Sequence, residues 1–207
     1  MEQNKEMSAS ESLALITKTI NESRKEITRH SGKFLLLWGI LLTVFSLLVF
    51  VLWKTTGKAY WNYLWFVMPV IGFILAAFLR KKESVSLPDN FVSRMLGGIW
   101  RAFGAFAVSL AAFTCIYASL NPNPLGTVAA SISLSPQILL LFGLAETVSG
   151  VAVRNRTITI AGFVTGIGGL ILYYLVAAKG DAESMLLFTL AGIVLAVTGL
   201  IVKSPKQ

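Results

Sequence analysis

FLLLWGILLTVFSLLVFVLW, residues 34 to 53, contains no charged side chain, and its reading decides the fold class. An α-helix rises about 1.5 Å per residue, so a stretch of this length matches the ~30 Å of hydrocarbon in a bilayer. An open strand would leave its backbone groups unpaired in lipid, so such a segment is helical. Five further stretches share its character: 61–79, 99–120, 136–153, 158–178 and 184–202. The expected fold is all-α, a polytopic membrane bundle of six transmembrane helices spanning 33–203. A cytoplasmic amphipathic helical arm, 1–32, precedes it, and a short cytoplasmic tail, 204–207, follows.

Composition supports this. Charged residues make up 14% of the 207, against about 25% in a soluble domain, and the mean hydropathy is +0.72. A net charge of +8 invites a nucleic-acid reading. The basic residues flank apolar runs and form no continuous patch, so topology explains them better and no nucleic-acid partner is expected. With Arg101, at the inner end of span 3, counted in the segment before it, fifteen of the Lys and Arg residues fall in alternate segments beginning with the N-terminal one, and three fall in the others. The positive-inside rule then places both termini in the cytoplasm.

The first apolar run begins at Phe34, after five acidic residues, whereas a secretory n-region is short and basic. That span is expected to stay as an uncleaved anchor. The triplets Asn21-Glu22-Ser23 and Asn155-Arg156-Thr157 fall on the cytoplasmic side, which argues against glycosylation. Trp53, Tyr60, Trp61, Tyr63 and Trp65 cluster around the first outer loop, at headgroup level. Pro69 is expected to kink span 2. The uncharged stretch 121–135 reads as an interfacial helix or a re-entrant loop.

Small residues recur four apart in Gly72/Ala76, Ala105/Ser109, Gly162/Gly166, Thr165/Gly169 and Gly192/Ala196. Such pairs let helix backbones approach closely. Span 1 has few small residues and is expected to face lipid, with spans 3 to 6 forming the tighter core. Spans 4 and 6 are faintly alike, "LLFGLAETV…SGVAVR" against "LLFTLAGIV…TGLIVK".

Residues 8–31 read as a helix capped by Ser8 or Ser10, with Leu13, Ile16, Ile20 and Ile27 in a narrow contact stripe. The stripe is too thin to make a core of its own. It suits a membrane surface, a second copy or a partner helix. Gly32 is expected to bend the chain before span 1. The amphipathic stretch 89–103 is expected to extend span 3.

No Walker loop, nucleophile elbow or zinc-binding pattern occurs, so no enzyme activity, metal site or cofactor is expected. His30 reads as a solvated residue of the arm, and Cys115 stands alone in an apolar segment. Glu146 is the one acidic residue inside any span. It shares a helix face with Gly143, Ser149 and Gly150. Together with Gly162, Gly166 and Gly169, Gly143 and Gly150 are the expected packing glycines. Arg101, near the inner end of span 3, is the expected counter-charge, because intramembrane ionisable residues face the bundle interior and find partners. Glu146 is thus a pairing residue, a proton, cation or ligand site, or a residue near water beyond a misplaced span end.

The arm "ESLALITKTINESRKEITRHSGKFLLLWG" (11–39) and the hairpin "ILLLFGLAETVSGVAVRNRTITIAG" (138–162) resemble small uncharacterised six-span integral membrane proteins of Bacteroidetes-type bacteria. The resemblance implies a multi-pass protein of the bacterial inner membrane and supplies no activity or catalytic residues. The functional expectation is a non-enzymatic interaction or regulatory subunit that uses residues 8–31 to bind a protein partner or itself. The alternative is a small proton- or cation-coupled transporter or channel acting through Glu146.

Overall fold

The computed structural model describes residues 8–83, 91–120, 134–175 and 182–204. Every regular element among them is helical, and six helices are long and apolar enough to cross a membrane. Helix α1 runs unbroken from Ala9 to Thr56, 48 residues or about 72 Å at 1.5 Å each. It starts in a capping box, in which Ser8 Oγ accepts from Glu11 N–H and the Glu11 carboxylate accepts from Ser8 N–H. It stops where Gly57 takes the left-handed conformation at φ 67° and donates its N–H to the Trp53 carbonyl.

A short 3-10 turn, Ala59–Tyr63, leads into α2 (Leu64–Glu83), which carries Pro69 in its interior. Helix α3 (Phe91–Leu120) is continuous, so the amphipathic stretch from Phe91 onward belongs to the same helix as span 3. Helix α4 covers Ser135–Ala152 with Pro136 in its first turn, a position where the missing N–H costs nothing. Next come α5 (Arg156–Phe163), a π-turn (Val164–Gly168) and α6 (Gly169–Leu175), which follow one another without a break. The Asn155 side chain caps α5 by accepting from Ile158 N–H. A 3-10 turn (Ala182–Ser184) precedes the last helix, α7 (Met185–Lys203). The re-entrant or interfacial stretch expected at 121–135 lies, up to 133, outside the described residues.

Three expectations are overturned. Gly32 makes no bend. It sits inside α1, buried, where a Cβ would come within 2.7 Å of the Lys203 backbone nitrogen. Nor does α1 stand apart from the core, because it packs antiparallel against α7 along most of its apolar length. The facing pairs step evenly: Gly32 against Lys203, Leu36 against Gly199, Gly39 against Ala196, and Thr43 against Gly192. A buried hydrogen bond of 2.9 Å between the Ser46 and Thr189 hydroxyls continues the series. One small residue every two turns is enough for this approach, so a count of small residues underrates α1.

The third is span 3, expected in the tighter core: α2 and α3 are the peripheral helices, with apolar windows almost wholly exposed. Ala105 and Ser109 lie on the exposed surface of α3 and close no seam. Gly72 is covered by the Trp38 ring. Two apolar clusters fill the centre. One gathers Leu42, Val49, Leu139, Tyr173, Met185 and Phe188, and the other gathers Ile27, Leu35, Val153, Ile158 and Leu195.

Candidate functional site

Leu139 and Glu146 on α4 and Val153 at its C-cap follow one another at seven-residue steps along one stripe, and all three are buried. Leu139 belongs to one apolar cluster and Val153 to the other, so Glu146 lies about 10 Å from each layer along the helix. It is 0% exposed.

The helix that closes over this stretch is α5 with its π-turn. A Cβ on Gly143 would lie 2.3 Å from Gly166 Cα, one on Gly162 would lie 2.4 Å from Thr147 N, and one on Gly150 would lie 2.4 Å from Thr159 N. The pairs 143–166, 147–162 and 150–159 define a second antiparallel seam, built like that of α1 and α7. Gly169 is less confined, since a Cβ there would meet Leu139 side-chain carbons at 3.5 Å and beyond. The likeness of α4 to α7 has a structural counterpart here. In that alignment Glu146 stands where α7 has Gly192, the residue in backbone contact with Gly39 and Thr43.

Arg101 is not brought to Glu146. It is exposed, and its Nε donates to the carbonyl of Gly97, one turn earlier on the same helix, at 3.1 Å. The reason is the rotation of α3, which rests on α4 through Trp100 and Phe103. Their rings stand edge-on to Phe142 with centroids 5.6 and 5.5 Å away. Residue 101 lies about 100° round the helix from residue 100 at 3.6 residues per turn, and so points elsewhere.

The side chain that does meet Glu146 is Thr165, which the sequence marks only as a member of a small-residue pair. Thr165 is 3% exposed, sits in the π-turn, and lies close enough to Glu146 to interact with it. Hydrogen-bond geometry is nonetheless not reached. Both carboxyl oxygens of Glu146 and Oγ1 of Thr165 are buried without a hydrogen-bond partner among the described residues. Most buried polar side-chain atoms have one, so three orphan oxygens in one place mark the site. π-turns inside α-helices also concentrate at functional positions. The only sequence signal for this one was the glycine-rich run Gly166, Gly168, Gly169, which weakens α-helical preference.

The arm divides in two. Leu13, Ile16 and Ile20 are 65, 55 and 51% exposed, whereas Ile27 is 4% exposed and packs in the cluster of Leu35, Val153, Ile158 and Leu195. Ile27 is therefore core, and the available stripe is the outer three residues. His30 is half-buried and Cys115 exposed. Among the described residues, no three His, Cys, Asp or Glu side chains gather as metal ligands. Compared with known protein families, characterised proteins and solved structures, the chain matches none.

Proposed function

We infer that this chain is a multi-pass protein of the bacterial inner membrane, with both termini in the cytoplasm, and works without catalysis as an interaction or regulatory subunit. Six long apolar helices and the alternation of basic residues support the membrane setting and the orientation. The observation that carries the function is the continuity of α1. A membrane-crossing segment and an extramembrane helix form one rod, whose buried half is fixed against α7. The free half shows Leu13, Ile16 and Ile20 as one apolar row. Glu11, Lys18, Glu22 and Lys25 put both signs of charge on the same stretch, a surface suited to an amphipathic partner helix.

A deletion through residue 30 would remove Ile27 from the core and confound loss of contact with loss of fold. The clean test replaces Leu13, Ile16 and Ile20 together with Ser and cross-links partners in native membranes. The triple variant should insert and fold like wild type, yet lose at least one cross-linked protein that wild type retains. An unchanged set of cross-linked proteins refutes the role of the arm.

A further inference from the structure

Several hydroxyls inside these helices share one habit. Thr43, Ser149, Thr159 and Thr189 each donate to the carbonyl four residues earlier, the usual back-bond of Ser and Thr in helices. Thr165 is equally buried and makes no such bond. Its place in the π-turn explains why. The extra residue in that turn carries a side chain off the carbonyl four positions back. The hydroxyl is released, and the group that faces it is the carboxyl of Glu146.

Two kinds of ligand suit such oxygens. A hard divalent cation takes about six to eight of them. Glu146 Oε1, Oε2 and Thr165 Oγ1 supply three. The neighbouring turns are closed by backbone contact at Gly143–Gly166 and Gly150–Thr159, and among the described residues no further acid, His or Cys gathers there to complete an ion's shell. A proton needs no volume. The threonine hydroxyl also serves both forms of the acid, accepting from the O–H of one and donating to the oxygens of the other.

Charged groups on the helices around α4 stay away. Arg101 on α3, Arg156 at the start of α5 and Lys203 at the end of α7 are all exposed, and Tyr173 of α6 belongs to the cluster of Leu139. We propose that Glu146 and Thr165 form a reversible proton-binding site at the crossing of α4 with the π-turn. The site is independent of the arm and of its partner. Because Glu146 is fully buried, proton exchange requires the contact between α4 and the π-turn to open, which makes the π-turn the moving part.

Infrared spectroscopy of the full-length protein in lipid vesicles tests this. A carboxylic-acid carbonyl band should appear on acidification, vanish in alkali and return, shift in heavy water, and be missing from Glu146→Gln. Thr165→Val should move the band to higher wavenumber, because the hydrogen bond proposed for the protonated acid cannot form, and Thr165→Ser should restore it. If Glu146→Gln fails to fold, Glu146→Asp assigns the band by its displacement. Absence of the band at every pH overturns the proposal, as does a band that neither titrates nor exchanges. A band unmoved by Thr165→Val overturns the part given to Thr165.

Discussion

Replacing Gly143 with Ala tests the seam on which the buried glutamate depends. The added Cβ would lie 2.3 Å from both the N and Cα of Gly166 and 2.5 Å from the carbonyl oxygen of Gly162. Comfortable contact between carbon atoms begins at about 3.5 Å, so α4 and α5 must part by roughly 1 Å. All three obstacles are backbone, and no side chain can swing aside to absorb the strain. A gap of that size forfeits about a quarter to a half of the attraction of each atom pair across the crossing. Overpacking of this kind costs about 1–3 kcal/mol. Alanine returns up to ~1 kcal/mol through its better helix propensity. The net loss should be about 1–2 kcal/mol, a factor of about 5–30 in the folded-to-unfolded ratio.

Reversible unfolding in mixed micelles, followed by tryptophan fluorescence, measures it. Two further variants sharpen the outcome. At Gly166 the Cβ would meet Gly143 Cα at 3.1 Å, a clash of a few tenths of an ångström, and at Gly104 it would meet nothing within 4 Å. Stability should therefore fall in the order Gly104→Ala, Gly166→Ala, Gly143→Ala, with the first neutral or slightly stabilised. Equal stabilities for Gly143→Ala and Gly104→Ala would refute the backbone contact.

The other seam and the arm give two more outcomes. The buried Ser46–Thr189 bond should show a coupling of about 0.6 kcal/mol in a Ser46→Ala and Thr189→Val double-mutant cycle, the average for hydrogen bonds between membrane helices. Because Ile27 is core and Ile16 is exposed, Ile27→Ala should cost about 2–5 kcal/mol in the same unfolding assay. Ile16→Ala should stay within about 0.5 kcal/mol of wild type.

The six apolar helices were legible because a run such as 34–53, without a charge, has one stable form in lipid. Their neighbours were less so. Span 1 was read by its share of small residues, and it has few. What the packing uses is spacing, since Gly32 and Gly39 on α1 meet Gly199 and Gly192 on α7, seven apart on both helices. The same interval separates Gly143 from Gly150, so the α4 seam could have been read by the same rule, and partly was, through Glu146 and its glycine neighbours. Gly32 illustrates the converse error. A glycine near a membrane boundary reads as a hinge, whereas this one lies inside a continuous helix against the backbone of Lys203.

The partner of Glu146 was misread for a different reason. Depth along the helix is one coordinate and rotation is another, and the expectation for Arg101 rests on depth alone. The rotation of α3 is set by Trp100 and Phe103 against Phe142, a contact between distant segments that no local periodicity reveals. Charge complementarity, moreover, points only to a cation as the partner of an acid. The structure surrounds this acid with glycine and a hydroxyl, and the hydroxyl is free because a π-turn displaces it. A one-residue irregularity of that kind leaves the hydrophobic pattern intact on either side. The sequence marks it only through the three glycines at 166, 168 and 169, which weaken α-helical preference there.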